Sequence, residues 1–393
     1  MEDAKVRVFL NGSNSQHAEV DYHPRMAFED FTVCCQERLG LQPQKKVRLF
    51  DLTGDEIYED DFDMLDPSEP IFLSLGEGFD PASSLAVYES ERPLGEGGFG
   101  TVELYRHRFS GAQVAIKSVP LSSLESTEDV SRVFGEVAIL RKLKHFNIVQ
   151  MLDALLLPDR ICLIMEFCQG GELKTLIETE VRLSEDKAYS IALQLVSGIR
   201  YCHDFYVIHR DLKLENVLFA DRMQQFVKIV DFGISGAFKV GAASERSDAG
   251  SLPYAAPEVI TGADNRARPA LDVWGLGCIF YYMVVGKHPF LAESLRESIR
   301  NIETGRYHPL PPDLSPPWRH VINGALQVSR TRRWSVSRIE EHLQRHRDDP
   351  KECPECTQGM EEEKTAEPAS EPIRFPEKKA GKKTGLRSRK TLS

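Results

Sequence analysis

Apolar and polar residues alternate at the start of the chain. Val6-Arg7-Val8-Phe9-Leu10 reads as a strand, Asn11-Gly12 as a hairpin-type turn, and Ala18-Glu19-Val20-Asp21-Tyr22 as the returning strand. From Phe28 to Leu41 the period changes: Phe28, Phe31, Cys35 and Leu39 recur at helical spacing, with Gly40 near the end. Strand-like segments return at Lys46 to Phe50 and, beyond a turn at Thr53-Gly54, at Pro70 to Leu75. Further strands are expected around Tyr88 to Ile116, and after Glu172 the pattern is mostly helical. Leu271 to Val285 is the most apolar long stretch. It is shorter than a membrane span and carries Asp272, so it predicts a buried core helix.

The order ββαββ over residues 1–78 suggests a small β-grasp domain. Residues 88–346 follow as a sheet-rich lobe and a larger helical lobe. Beyond His346 the chain turns to Glu, Lys, Pro, Thr and Ser. Such a stretch buries too little apolar surface to offset its ordering entropy, so residues 347–393 are expected to be disordered. The fold class is therefore α+β, and no internal repeat is visible. A length of 393 residues suits two or three domains, and 41% hydrophobic with 28% charged residues is ordinary for globular protein. A net charge of −11 argues against a nucleic-acid binder. Met1-Glu2-Asp3-Ala4-Lys5 leads into alternation rather than an apolar run, so no secretory signal is expected. Cys162, Cys202 and Cys278 lie in apolar settings, as reduced thiols do. The chain reads as soluble and cytoplasmic, without a membrane span.

The chemistry is concentrated in His209-Arg210-Asp211-Leu212-Lys213-Leu214-Glu215-Asn216, followed by Asp231-Phe232-Gly233. An aspartate, a lysine and an asparagine in one loop, with a second aspartate soon after, suit a hydroxyl acceptor, a transferring phosphoryl group and two magnesium ions. Upstream, Gly95-Glu96-Gly97-Gly98-Phe99-Gly100-Thr101-Val102 places glycines where backbone must approach phosphate oxygens. A strand turn alone would explain that loop about half the time. The strand Val114-Ala115-Ile116-Lys117 then offers Lys117 as a clamp on the α- and β-phosphates, with Glu136 as its anionic partner. Asp211 is read as the group that orients the nucleophile and takes up its proton, and Lys213 as the one that steadies the γ-phosphate. Asn216 and Asp231 supply hard oxygens suited to magnesium. Singly, each is an ordinary loop residue. In this order, together, they specify phosphoryl transfer.

Residues 88–346 resemble a eukaryotic protein kinase domain, with every principal motif in sequence order. Lys213, and Ser251 before Ala256-Pro257-Glu258, favour serine/threonine specificity within that family. The wording of His209 to Asn216 and of Tyr254 to Ile260 is most similar to the calmodulin-dependent-kinase group, in its AMP-activated and microtubule-affinity-regulating branch. The resemblance implies a bilobal fold binding ATP and Mg2+. Gly95, Gly97, Gly100, Val102, Ala115, Lys117 and Leu218 would line the nucleotide site, with Met165 as gatekeeper and Glu166 and Cys168 in the hinge. Glu172 would lie near the ribose and the substrate groove. Glu215 is the other candidate for contacting basic residues upstream of the acceptor. Glu258 should pair with Arg333, and Asp272 should brace the catalytic loop. Ser247 occupies the position at which an upstream kinase activates this branch, where its phosphate would engage Arg210. Ser329-Arg330 and Leu252-Pro253 depart from the family pattern, away from the phosphates.

Residues 1–78 resemble a doublecortin-type β-grasp domain at Val6 to Gly12, Leu49 to Gly54 and Ile71 to Phe79. Doublecortin-like kinases usually carry two such domains and bind microtubules through basic surfaces. Here there is one, and Asp55, Glu56, Glu59, Asp60, Asp61, Asp63 and Asp66 make its second half acidic, which opposes tubulin. A ubiquitin-like domain that mates with a basic protein partner is the alternative, and a solvated charge run without a partner a third reading. Cys353-Pro354-Glu355-Cys356 offers two thiolates where a closed zinc site needs four ligands. The basic terminus through Lys390 reads as a nuclear-import signal, an anionic-surface contact or a solubilising tail. The competing functional reading for the whole chain is a catalytically weak scaffold acting through its first domain.

Overall fold

The computed structural model describes residues 4–13, 16–42, 44, 46–97, 100–124, 126, 133–134, 137–138, 140–232, 252–262 and 268–348. The chain opens with a five-stranded mixed sheet of β1 (Ala4–Leu10), β2 (His17–Tyr22), β3 (Arg48–Phe50), β4 (Glu56–Ile57) and β5 (Ile71–Ser74). Their spatial order is β2-β1-β5-β3-β4, with β1 and β5 parallel at the centre and the other pairs antiparallel. Helix α1 (Phe28–Arg38) covers one face, where Val6, Val8, Leu49, Ile71 and Leu73 meet Phe31 and Cys35. The helix stops before Leu41 because Gly40 takes a left-handed φ of 70°.

Two features differ from the expected ββαββ pattern. Strand β4 is only two residues long, too short to show a period. The acidic run contains a 3-10 helix, Glu59–Met64, that anchors itself by burying Phe62 in the core. Its charges are therefore carried on folded backbone.

The second face of this sheet is also closed. The register sets Phe9 opposite Phe72 and Phe72 opposite Phe50, so three rings cross adjacent strands. Onto them pack Phe79, Ala86, Val87 and Phe109. Phe109 lies 5.6 Å from Phe9, centroid to centroid, and the Arg7 guanidinium sits 3.7 Å over its ring. Residues 79–87 are thus no loose connector: Ala86 and Val87 are each 1% exposed. The 3-10 helix Pro81–Leu85 turns Ala82 and Leu85 the other way, onto Val114, Ile116 and Ile164 of the next sheet.

That second sheet is antiparallel, built from β6 (Tyr88–Gly97), β7 (Gly100–His107), β8 (Gln113–Pro120), β9 (Met151–Leu156) and β10 (Arg160–Glu166) in the order β6-β7-β8-β10-β9. The helical lobe follows as α2 (Leu173–Glu180), α3 (Glu185–Asp204), the hairpin β11 (Val217–Phe219) and β12 (Val227–Ile229), α4 (Pro257–Ile260), α5 (Pro269–Val285), α6 (Leu295–Thr304), α7 (Pro316–Ala325) and α8 (Val336–Asp348). Helix α5 is the predicted buried helix, enclosed on nearly every side from Asp272 to Val284. No described helix is long and apolar enough to cross a membrane. Arg333 ties the lobe together: it donates twice to Glu258, at 2.9 Å each, and to the carbonyl of Ala270, as expected for that pair. Both partners are buried, so breaking the pair would strand a charge.

Candidate active site

Strand β8 sets Lys117 opposite Val102 of β7 and Leu163 of β10. Ala115, two residues back on the same face, lies opposite Leu104 and Met165. From there the Lys117 Nζ donates to Asp231 Oδ1 at 2.6 Å, bridging two segments far apart in sequence. The Asp231 side chain remains 46% exposed to the cleft. Its backbone is left-handed, φ 59°, a conformation that costs a non-glycine residue and persists only where the surroundings impose it. Burial alone would raise its carboxyl. The Lys117 charge and hydrogen bond, aided by His209 and Lys213, outweigh that and hold it below the usual carboxylate range.

The glycines of the β6–β7 hairpin differ in what they do. A Cβ on Gly100 would strike the carbonyl of Ser118 in β8, so only glycine lets the turn lie so close to the sheet. A Cβ on Gly95 would meet nothing within 4 Å among the described residues. Gly97 closes the hairpin opposite Gly100.

A buried carboxylate fixes the loop that follows α3. Asp272 of α5, 1% exposed, accepts the backbone N–H groups of His209 (3.0 Å) and Arg210 (2.8 Å), and His203 Nε2 lies 2.8 Å away. This anchorage holds Arg210 at φ 71°. His209 Nε2 faces the carbonyl of Val230 at 2.9 Å while its Nδ1 accepts from the Asp211 N–H at 3.3 Å, so the ring ties this loop to the strand before Asp231. Beyond the turn, Lys213 Nζ is 2.8 Å from Asp211 Oδ2. Asn216 Nδ2 donates to Asp211 O (2.7 Å) and Oδ2 (3.1 Å). Its amide nitrogen is thus committed to Asp211. One cleft therefore brings together Lys117, Asp231, Asp211, Lys213 and Asn216.

The protein kinase domain model matches residues 88–344, the part of the chain that builds this cleft. The chain belongs to the protein kinase family. Curated relatives include the serine/threonine-protein kinase SIK1 of Mus musculus, 33% identical over 68% of this chain and 34% of its own length. The SNF-related serine/threonine-protein kinase of Rattus norvegicus is 37% identical over 65% of this chain and 34% of its own length. The carbon catabolite-derepressing protein kinase of Candida tropicalis is 36% identical over 70% and 43%. The chain thus spans between a third and half of these relatives. Among solved structures, that of Rad53 1-466 in complex with AMP-PNP aligns with a TM-score of 0.57 at 28% identity, covering 66% of this chain and 65% of that one.

Several other residues expected at the site are also described. Val102, Met165 and Leu218 are half-buried, and Met165 lies opposite Ala115 in the strand register. Glu166 closes β10, and its carboxylate is held by Lys228 Nζ and the Gln150 N–H, each at 2.7 Å. Cys168 is half-buried, and burial, with Glu166 nearby, pushes its thiol up to about 12. Glu172 stands at the start of α2 and bridges Leu218 of β11; burial and then Glu215 raise its carboxyl. Glu136 and Ser247 lie outside the described residues.

Two lysines escaped the sequence reading. Lys228, in Phe226-Val227-Lys228-Ile229, is an almost buried charge in an apolar strand, and that placement was its available signal. Lys174 pairs with Glu215 at 3.0 Å. Nothing local in the sequence marks Lys174 as a partner of Glu215.

Proposed function

We propose that this chain is an ATP-dependent serine/threonine protein kinase, passing the γ-phosphoryl group to a protein hydroxyl. The observation that carries the reading is the ion pair between Lys117 and Asp231 beside the Asp211–Lys213–Asn216 cluster. Lys117 would clamp the α- and β-phosphates. Asp211 would orient the acceptor hydroxyl and take its proton as the bond forms, and Lys213 would neutralise the transferring group. Asn216 and Asp231 fit Mg2+, being hard oxygen donors of which one is held anionic. Bound there, the ion would offset charge on the β- and γ-phosphates. Serine/threonine specificity rests on Lys213 and on the names of the relatives above.

Activation by phosphorylation at Ser247 belongs to this proposal and rests on sequence alone. So do protein substrates, an upstream kinase, and cytoplasmic or nuclear residence. For residues 1–78, the strand order β2-β1-β5-β3-β4 with a parallel central pair supports a β-grasp domain, ubiquitin-like or doublecortin-like. Its acidic 3-10 helix favours a basic protein partner over tubulin.

The test is phosphoryl transfer by the full chain from radiolabelled ATP with Mg2+ to a serine peptide. Asp211→Asn should lower the rate about 10²–10⁴-fold while nucleotide binding persists. Nucleotide binding without transfer by the unmodified chain would favour the scaffold reading.

A further inference from the structure

Glu215 follows directly on the catalytic loop, in the short 3-10 turn Leu214–Asn216. If this chain is a kinase that reads its substrates by charge, Glu215 is a natural acceptor for a basic residue upstream of the phosphorylated hydroxyl. It is already taken. Lys174, in the first turn of α2, donates to Glu215 Oε1 at 3.0 Å. Glu215 Oε2 is buried with no hydrogen-bond partner among the described residues. Glu172 and Glu178 are close enough to act on the Lys174 charge. Tyr254 and Tyr282 both feel the Glu215 charge, so two phenols lie near the pair.

We infer that Lys174 is a specificity-determining residue: it occupies Glu215 from within the chain and so suppresses selection for arginine or lysine upstream of the acceptor. The physical reason is competition. Lys174 is tethered and needs no association entropy to reach Glu215, whereas a substrate cation must displace it or share one carboxylate oxygen. The pair is partly exposed, with side-chain exposures of 39% and 32%, so it is accessible to such an exchange. This inference rests on the kinase reading above.

The experiment uses the full chain and a serine peptide series in which a single arginine, or an alanine in its place, is moved through the upstream positions. kcat/KM and peptide binding by fluorescence anisotropy are measured for the unmodified protein, Lys174→Met, and Lys174→Met combined with Glu215→Gln. At one upstream position, Lys174→Met should raise the arginine-over-alanine ratio about tenfold in both readouts, the size of one charge-assisted hydrogen bond. The double variant should return it to the starting value. An unchanged ratio in Lys174→Met, or a gain that survives Glu215→Gln, would overturn the assignment. Loss of transfer with the anisotropy difference intact would count against the catalytic reading and not against Lys174.

Discussion

The two five-stranded sheets lie side by side in sequence and are used in opposite ways. The first has both faces closed, one by α1 and the other by Phe79, Ala86, Val87 and Phe109. The second is closed on one face by the 3-10 helix Pro81–Leu85. Its other face stays partly open at Val102, Lys117 and Met165. A sheet with no free face can contribute stability and an outer rim, while a sheet with a half-open face can hold a ligand. The difference is written in the strands. Val8-Phe9-Leu10 and Ile71-Phe72-Leu73 are apolar at consecutive positions, as strands buried on both sides are. Val114-Ala115-Ile116-Lys117 puts small and charged residues on one face only.

Replacing Phe72 by alanine should break the closed sheet most severely. The ring is 0% exposed at the centre of the aromatic cluster, and its loss should cost about 3–5 kcal/mol. Because the cluster spans residues 9 to 109, differential scanning calorimetry should show the transition of residues 88–346 moving as well. An unmoved transition would mean the two sheets are energetically independent. In the buried brace beneath the open cleft, Asp272→Asn should lower kcat by up to about 10²-fold while the chain still folds. It weakens the acceptor that holds His209 and Arg210, and small misplacements of a catalytic group cost that much. Unchanged kcat would show that Asp211 needs no such brace.

Enclosure also leaves a pH signature. Burial, then His308, depresses His288 to about 3, and its Nδ1 accepts from the Phe290 N–H. The folded chain therefore keeps the ring neutral while the unfolded chain protonates it below its ordinary value near 6.5. Its contribution to stability is full above that pH and declines as pH falls from about 6.5 toward 3, by at most about 1.4 kcal/mol per pH unit. His288→Asn should flatten the fall in denaturant midpoints over that window; an equal slope would place the titration elsewhere. The smallest effect belongs to Arg7→Ala. Loss of its stacking on Phe109 should lower stability by about 0.5–1 kcal/mol in urea unfolding, with kcat unchanged.

The loop from His209 to Asn216 stood out because its residues keep a fixed local order, and the geometry gathers Asp211, Lys213, Asn216 and Asp231 about one cleft. The helix over Leu271 to Val285 was legible from continuous apolarity. Strand β4 was not, since two residues hold no period. The docking of the first sheet on the second was half-written in consecutive apolar residues, but which surface covers them depends on Phe109, a turn residue far along the chain. Lys174 and Lys228 were hidden for the same reason: their partners, Glu215 and Glu166, are distant in sequence, and an isolated lysine on a helix or strand ordinarily points to water.

The most direct test is a calorimetric titration of the full chain with ATP and Mg2+, repeated on Lys117→Met. Saturable binding is expected, weakened at least about tenfold in the variant with thermal stability little changed. No binding by the unmodified chain, or equal affinity in both, would contradict the placement of the nucleotide at Lys117 and Asp231.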